Sequence, residues 1–105
     1  MGFYKTITAQ EAKIMMDTTP VTIVDVRTKS EYKQGHIPHA ILVNNEDIGN
    51  QMPTELPNKN ATLLVYCRSG VRSAEASQKL LHLGYTCIYD FGGILSWPYT
   101  VEKGD

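Results

Sequence analysis

Tyr66-Cys67-Arg68-Ser69-Gly70-Val71-Arg72-Ser73 decides how this chain is read. The stretch holds two of the three arginines in the protein, one of its two cysteines, and a glycine. The apolar run Ala61 to Tyr66 leads into it, and a helix-like segment starting near Val71 leads out. That order is strand, tight loop, helix, with a thiol at the turn. Such a loop points backbone N–H groups inward, where they can hold an anion at a helix start. The helix dipole and the Arg68 and Arg72 cations favour the thiolate form of Cys67. The stretch therefore predicts a nucleophilic cysteine acting on an anionic substrate.

Working outward, Thr8-Ala9-Gln10-Glu11 is a capping box that starts a helix running to about Asp17. That helix turns Ala12, Met15 and Met16 inward, and Thr19-Pro20 breaks it. Val21 to Val26 is a short unalternating β-branched run, which suits a strand buried on both faces. Ser30 is expected to cap a single helical turn through Tyr32 that ends at Gly35. Ala40 to Val43 is a further apolar run. Asn44 to Asn60 is polar and proline-punctuated, with a short helix expected around Glu46–Gln51. Ala61 to Tyr66 is the next buried strand. Val71 to Leu83 is expected as a helix with Ala74, Leu80, Leu81 and Leu83 on its core face and Gly84 as its stop. Thr86 to Tyr89 reads as a last strand, before Gly92-Gly93 and a short helix ended by Pro98. Strands alternating with helices predict a parallel sheet covered on both faces, with ligands at the carboxyl ends of its strands.

The chain has 105 residues, 42% of them hydrophobic, which fits one domain over residues 1–105 with one modest core. A net charge of −1 gives no electrostatic reason to expect a nucleic-acid partner or an acidic membrane surface. No apolar run approaches the roughly 18–20 residues that cross a bilayer. The N-terminus lacks a signal-peptide core, and Met1 to Thr6 matches the loose myristoylation pattern, read here as a chance match. Two cysteines make no disulfide framework, and no Cys/His pair has metal-ligand spacing. The expectation is reduced thiols in the cytoplasm, with no metal and no cofactor.

Four elements in order resemble one known family. Val24-Asp25-Val26-Arg27 looks like its Asp-x-Arg strand end. Glu31-Tyr32-Lys33-Gln34-Gly35-His36-Ile37-Pro38-His39-Ala40 is similar to its Gly-His-Ile-Pro segment, and Cys67 to Ser73 is similar to its catalytic loop. Gly84-Tyr85 and Phe91-Gly92-Gly93-Ile94-Leu95-Ser96-Trp97 resemble its closing elements. The chain thus resembles the single-domain rhodaneses, of the rhodanese-like sulfurtransferase superfamily. The resemblance implies an α/β three-layer sandwich with a five-stranded parallel sheet between helices. It also implies two-step transfer of sulfane sulfur. Cys67 takes sulfur from a small anionic donor such as thiosulfate, and the persulfide passes it to cyanide, a thiol or a protein sulfur-relay partner.

The residue chemistry agrees with that implication. Persulfide and sulfonate are anions, so the loop should offer backbone N–H donors, with Gly70 permitting the tight turn. Arg68 and Arg72 match oxyanions in fork geometry. Ser69, Val71 and Ser73 shape the loop, and Ser73 is a candidate hydroxyl donor to the thiolate. Four residues separate Cys67 from Arg72. Rhodanese-fold phosphatases and arsenate reductases carry a loop longer by one residue, so the shorter cradle favours sulfur over phosphate. A non-catalytic interaction module is the alternative of another class, against which the intact thiol and arginines speak.

Asp25 and Arg27 are expected to brace the fold as an ion pair together with Glu31. His36 is expected to make a structural hydrogen bond, while His39 and His82 read as surface residues. Trp97 and Tyr99 read as packing residues. Cys87 is expected as a core thiol, because it starts its strand while Cys67 ends a neighbouring parallel one.

Overall fold

The structure is a computed structural model and describes residues 2–105. Met1, the first residue of the myristoylation pattern, lies outside the described residues. Five strands form one parallel sheet: β1 Phe3–Thr6, β2 Thr22–Asp25, β3 Ile41–Leu42, β4 Thr62–Cys67 and β5 Cys87–Gly93, in the order β1-β5-β4-β2-β3. The helices are α1 Ala9–Thr18, α2 Lys29–Gln34 and α3 Val71–His82. Two short 3-10 turns, Asn45–Asp47 and Ile94–Ser96, complete the regular structure. No helix among the described residues is long and apolar enough to cross a membrane.

The central strand shows why the layers form. Leu63 to Cys67 are all buried, and successive side chains alternate between the two faces of the sheet. Leu63, Val65 and Cys67 join Ala76 and Leu80 of α3, together with Tyr85 and Ile88. Leu64 and Tyr66 join Ala12 of α1, together with Ile37, Phe91 and Trp97. Two apolar clusters thus clamp the sheet, which is the three-layer α/β arrangement expected.

Several boundaries differ from the sequence expectation, each for a physical reason. Thr28, not Ser30, caps α2: its side chain accepts from Glu31 N and the Glu31 carboxylate accepts from Thr28 N, a complete capping box. The stretch expected as a helix at Glu46–Gln51 is only the 3-10 turn Asn45–Asp47, capped by Asn44. On α3 the fully buried residues are Ser73, Ala76, Ser77 and Leu80, while Ala74, Leu81 and Leu83 are half-buried. β5 runs past Tyr89 to Gly93, because Asp90 and Phe91 are themselves buried in the sheet. β1 has no counterpart in the sequence reading.

The topology fixes where a site can be. After β2 the chain moves outward to β3, and after β4 it moves the other way to β5. The carboxyl ends of adjacent β2 and β4 therefore face a switch point, where loops diverge and leave a crevice. Arg27 follows one of those ends and Cys67 completes the other.

Candidate active site

Cys67 is 1% exposed, at the root of the loop that becomes α3. Gly70 N–H donates to its Sγ at 3.0 Å. Gly70 has φ 108°, a left-handed conformation that a side chain would strain, and it serves as the N-cap of α3. Because α3 begins at Val71, its first N–H groups have no carbonyl of the helix to pair with and remain available to an anion. A sulfur atom added to Sγ would be held by these dipoles.

The floor of the loop is the end of β5. The register passes from Val65 opposite Asp90 to Cys67 opposite Gly93, so β5 carries one extra residue as a bulge. Asp90 Oδ1 accepts from Gly92 N at 2.8 Å, which holds that bulge. Leu95 N–H donates to the Arg68 carbonyl at 3.2 Å. A Cβ on Gly93 would overlap the Arg68 carbonyl oxygen and come within 2.6 Å of Ser69 Cα. Only glycine lets the strand support the loop at this distance. Gly92-Gly93 was legible as part of the family resemblance, but its place under the loop was not.

The loop side chains divide into three roles. Arg72 donates from Nη1 to Glu31 Oε1 at 2.6 Å and from Nη2 to Glu31 Oε2 at 2.9 Å. Those hydrogen bonds hold the Glu31 carboxyl down at about 2, against the opposing effect of burial. They likewise hold the Arg72 guanidinium above its ordinary value. Arg68 and Ser69 are exposed, and Val71 is 74% exposed at the rim. Ser73 is fully buried and donates to the carbonyls of Gly70 at 3.1 Å and Gly92 at 3.4 Å. Its hydroxyl proton is thus directed to the loop backbone, not to the thiol as the sequence suggested.

Asp25 and Arg27 form the expected ion pair, with Arg27 Nη2 2.8 Å from Asp25 Oδ2 and Nε 3.0 Å from Oδ1. Arg27 Nη2 also reaches the Gly35 carbonyl at 2.6 Å. Burial works against the Arg27 charge, but the Asp25 bonds and charge outweigh it and raise the guanidinium above its ordinary value. Glu31 does not join this pair; it turns to Arg72, tying α2 to the Cys67 loop instead. Tyr66, missed as a network member, donates to Asp25 Oδ2 at 2.7 Å and accepts from Ile37 N at 3.0 Å. Burial first, and the Asp25 charge second, push its phenol far above the ordinary value. It stays a neutral donor, welding β4, β2 and the Gly-His-Ile-Pro segment together.

His36 is buried, stacked on Tyr32, with Nδ1 2.9 Å from the Tyr32 carbonyl, a structural position as expected. His39 and His82 are exposed. Trp97 packs on Phe91, whereas Tyr99 is 37% exposed and only edges onto Trp97. Cys87 is half-buried at the start of β5 and belongs to neither apolar cluster, so it is not the core thiol expected; it pairs with Thr62, five residues before Cys67 on the adjacent strand, and both thiols are free. That offset of roughly 16 Å along the strand is far beyond disulfide reach.

A buried sulfur at a helix start, on a loop that follows the central parallel strand, is the arrangement the family resemblance implied. The Rhodanese-like domain profile matches residues 8–98. The chain belongs to the rhodanese-like domain family. It is 35% identical over 81 residues to the thiosulfate sulfurtransferase PspE of Escherichia coli, covering 77% of this chain and 78% of that protein. It is 39% identical over 84 residues to a sulfurtransferase of Allochromatium vinosum, covering 79% and 77%. The tRNA uridine(34) hydroxylase of Hamiltonella defensa is 32% identical over 102 residues, but this chain spans only 29% of that longer protein. Among solved structures, a rhodanese-like domain protein from Staphylococcus aureus superposes with a TM-score of 0.82 at 34% identity, covering 96% of this chain and 99% of that one.

Proposed function

We propose that this rhodanese-like protein transfers sulfane sulfur from thiosulfate, or a similar small anionic donor, to a thiophilic acceptor through a Cys67 persulfide. One observation carries the reading: Sγ of Cys67 receives the Gly70 N–H at 3.0 Å at the start of α3. The Cys67 thiolate attacks the outer sulfur of thiosulfate, the S–S bond breaks, and sulfite leaves with the bonding pair. The acceptor, cyanide or a thiolate, then attacks the outer sulfur of the persulfide and returns Cys67 as thiolate.

Each part of the loop has a place in that sequence. Gly70 N–H and the first N–H groups of α3 stabilise negative sulfur as it forms and as it leaves. Arg68, exposed and without a carboxylate partner among the described residues, draws the donor's sulfonate. Arg72 is committed to Glu31, so it acts as a positioning residue that anchors the loop while adding positive potential. Four loop residues between Cys67 and Arg72 leave a cradle suited to one sulfur atom and not to a full phosphate. The test compares thiocyanate formation from thiosulfate and cyanide by purified wild type and Cys67→Ala. Turnover by wild type alone is expected; equal rates for the two proteins would refute the assignment.

A further inference from the structure

Arg27 is not used by the chemistry above, yet it is built into the wall beside it. Its side chain is 5% exposed. Nε and Nη2 are occupied by Asp25 and by the Gly35 carbonyl. Nη1 donates to no group among the described residues. Arg27 lines a cavity of about 200 Å³ together with Glu31, Gln34, Gly35, Arg68, Ile94 and Leu95.

The charges around this cavity do not cancel. Asp25 neutralises Arg27 and Arg72 neutralises Glu31, which leaves Arg68 as an unpaired cation. Arg27, held in place by Asp25, and the free Arg68 cation line one space, with Gln34 and Gly35 beside them and Ile94 and Leu95 as its apolar wall. Thiosulfate has no carbon to set against that wall, whereas an alkyl chain ending in a carboxylate uses both halves. Arg68 directly follows Cys67 in the chain, so one wall of the cavity belongs to the Cys67 loop.

We infer that this cavity is a carboxylate subsite, with Arg27 and Arg68 as specificity-determining residues, and that the sulfur acceptor is a small thiol bearing a carboxylate on a short alkyl chain. The inference rests on the persulfide reading for its chemistry but not for its binding. In the transfer the acceptor thiolate attacks the outer sulfur of the Cys67 persulfide. The S–S bond to Cys67 breaks, Cys67 keeps the bonding pair as thiolate, and the acceptor leaves as its own persulfide.

Two arms test it on the whole chain. In the first, butyrate is titrated onto the resting protein while the side-chain N–H signals of Arg27 and Arg68 are followed by NMR, with butyramide as the neutral control. Saturable shifts with butyrate alone, at a Kd on the order of 1–10 mM, are expected. No shift, or equal shifts with both compounds, overturns the subsite. In the second, the preloaded persulfide is offered 3-mercaptopropionate or 3-mercaptopropionamide. Transfer per thiolate is expected to favour the carboxylate by roughly tenfold, as one charge-assisted hydrogen bond provides. Arg68→Gln, an exposed change that leaves folding intact, and Arg27→Lys should both cut that preference to below about threefold. Equal transfer to both acceptors by wild type overturns the subsite and leaves sulfur transfer standing. Butyrate binding without persulfide formation overturns sulfur transfer and leaves the subsite standing.

Discussion

Gly93→Ala should damage the proposed active site from beneath without touching the Cys67 thiol. Gly93 has φ −124°, which any residue adopts, so the effect is one of contact alone. The new methyl would lie 2.5 Å from the Arg68 carbonyl carbon and 2.6 Å from Ser69 Cα, where ordinary contact begins near 3.4 Å. Both sides of that contact are backbone, so no flexible side chain can give way. Either the loop or the end of β5 must move by roughly 1 Å, at a cost of about 1–3 kcal/mol for overpacking. A loss of that size lowers Tm by roughly 5–15 °C in a domain of this length. A displacement of about 1 Å in a catalytic loop slows its reaction by about 100-fold. The assay is the rate of sulfur loading by thiosulfate, followed by intact mass, beside a thermal melt. Gly49→Ala is the control, because nothing lies within 4 Å of its added Cβ. If Gly93→Ala loaded sulfur within twofold of wild type and melted at the same temperature, the close approach would not be what shapes the loop.

Three further changes test separate parts of the account. Glu31→Gln should destabilise the fold by about 1 kcal/mol near neutral pH, a bidentate pair discounted for its partial exposure. Because the native Glu31 carboxyl is lowered from 4.5 to about 2, its contribution is complete above about pH 4.5 and is lost as pH falls toward 2, so urea melts of the two proteins should converge there. Tyr66→Phe should cost about 2 kcal/mol by urea unfolding, since the Ile37 N–H loses its acceptor and the buried Asp25 carboxylate loses a donor. Ser77→Ala should raise stability by about 1 kcal/mol, because it removes a buried hydroxyl with no partner and places a better helix former in α3.

The parts of the fold visible in the sequence were those fixed by local chemistry. The apolar run before Cys67 and the Gly70 turn after it announce β4, the loop and α3 without any distant contact. The Thr8 capping box did the same for α1. At α2 the same logic was available, but two hydroxyl residues competed, and the Thr28 to Glu31 spacing selects Thr28 over Ser30. β1 was invisible because Phe3, Lys5 and Thr6 are exposed on an edge strand, which exists through its pairing with β5.

The site was legible to the same depth. Cys67, Gly70 and the arginines stand out by type and spacing, but their partners do not. Arg72 finds Glu31 from 41 residues away, and Tyr66 finds Asp25 across two strands at the same separation. Neither pairing leaves a mark in a local pattern. Whether Arg68 or Arg72 is the free cation depends on that fold-level choice. So does the support from Gly93, which requires the bulge in β5 before it can reach Arg68.

The most direct test of the central claim is the intact mass of the protein after thiosulfate treatment and removal of excess donor. Wild type should gain one sulfur atom, Cys67→Ser none, and Cys87→Ser one, since Cys87 is level with Thr62 at the far end of the sheet. An unchanged wild-type mass with every donor tried, or a sulfur gained by Cys67→Ser, would contradict a persulfide at Cys67.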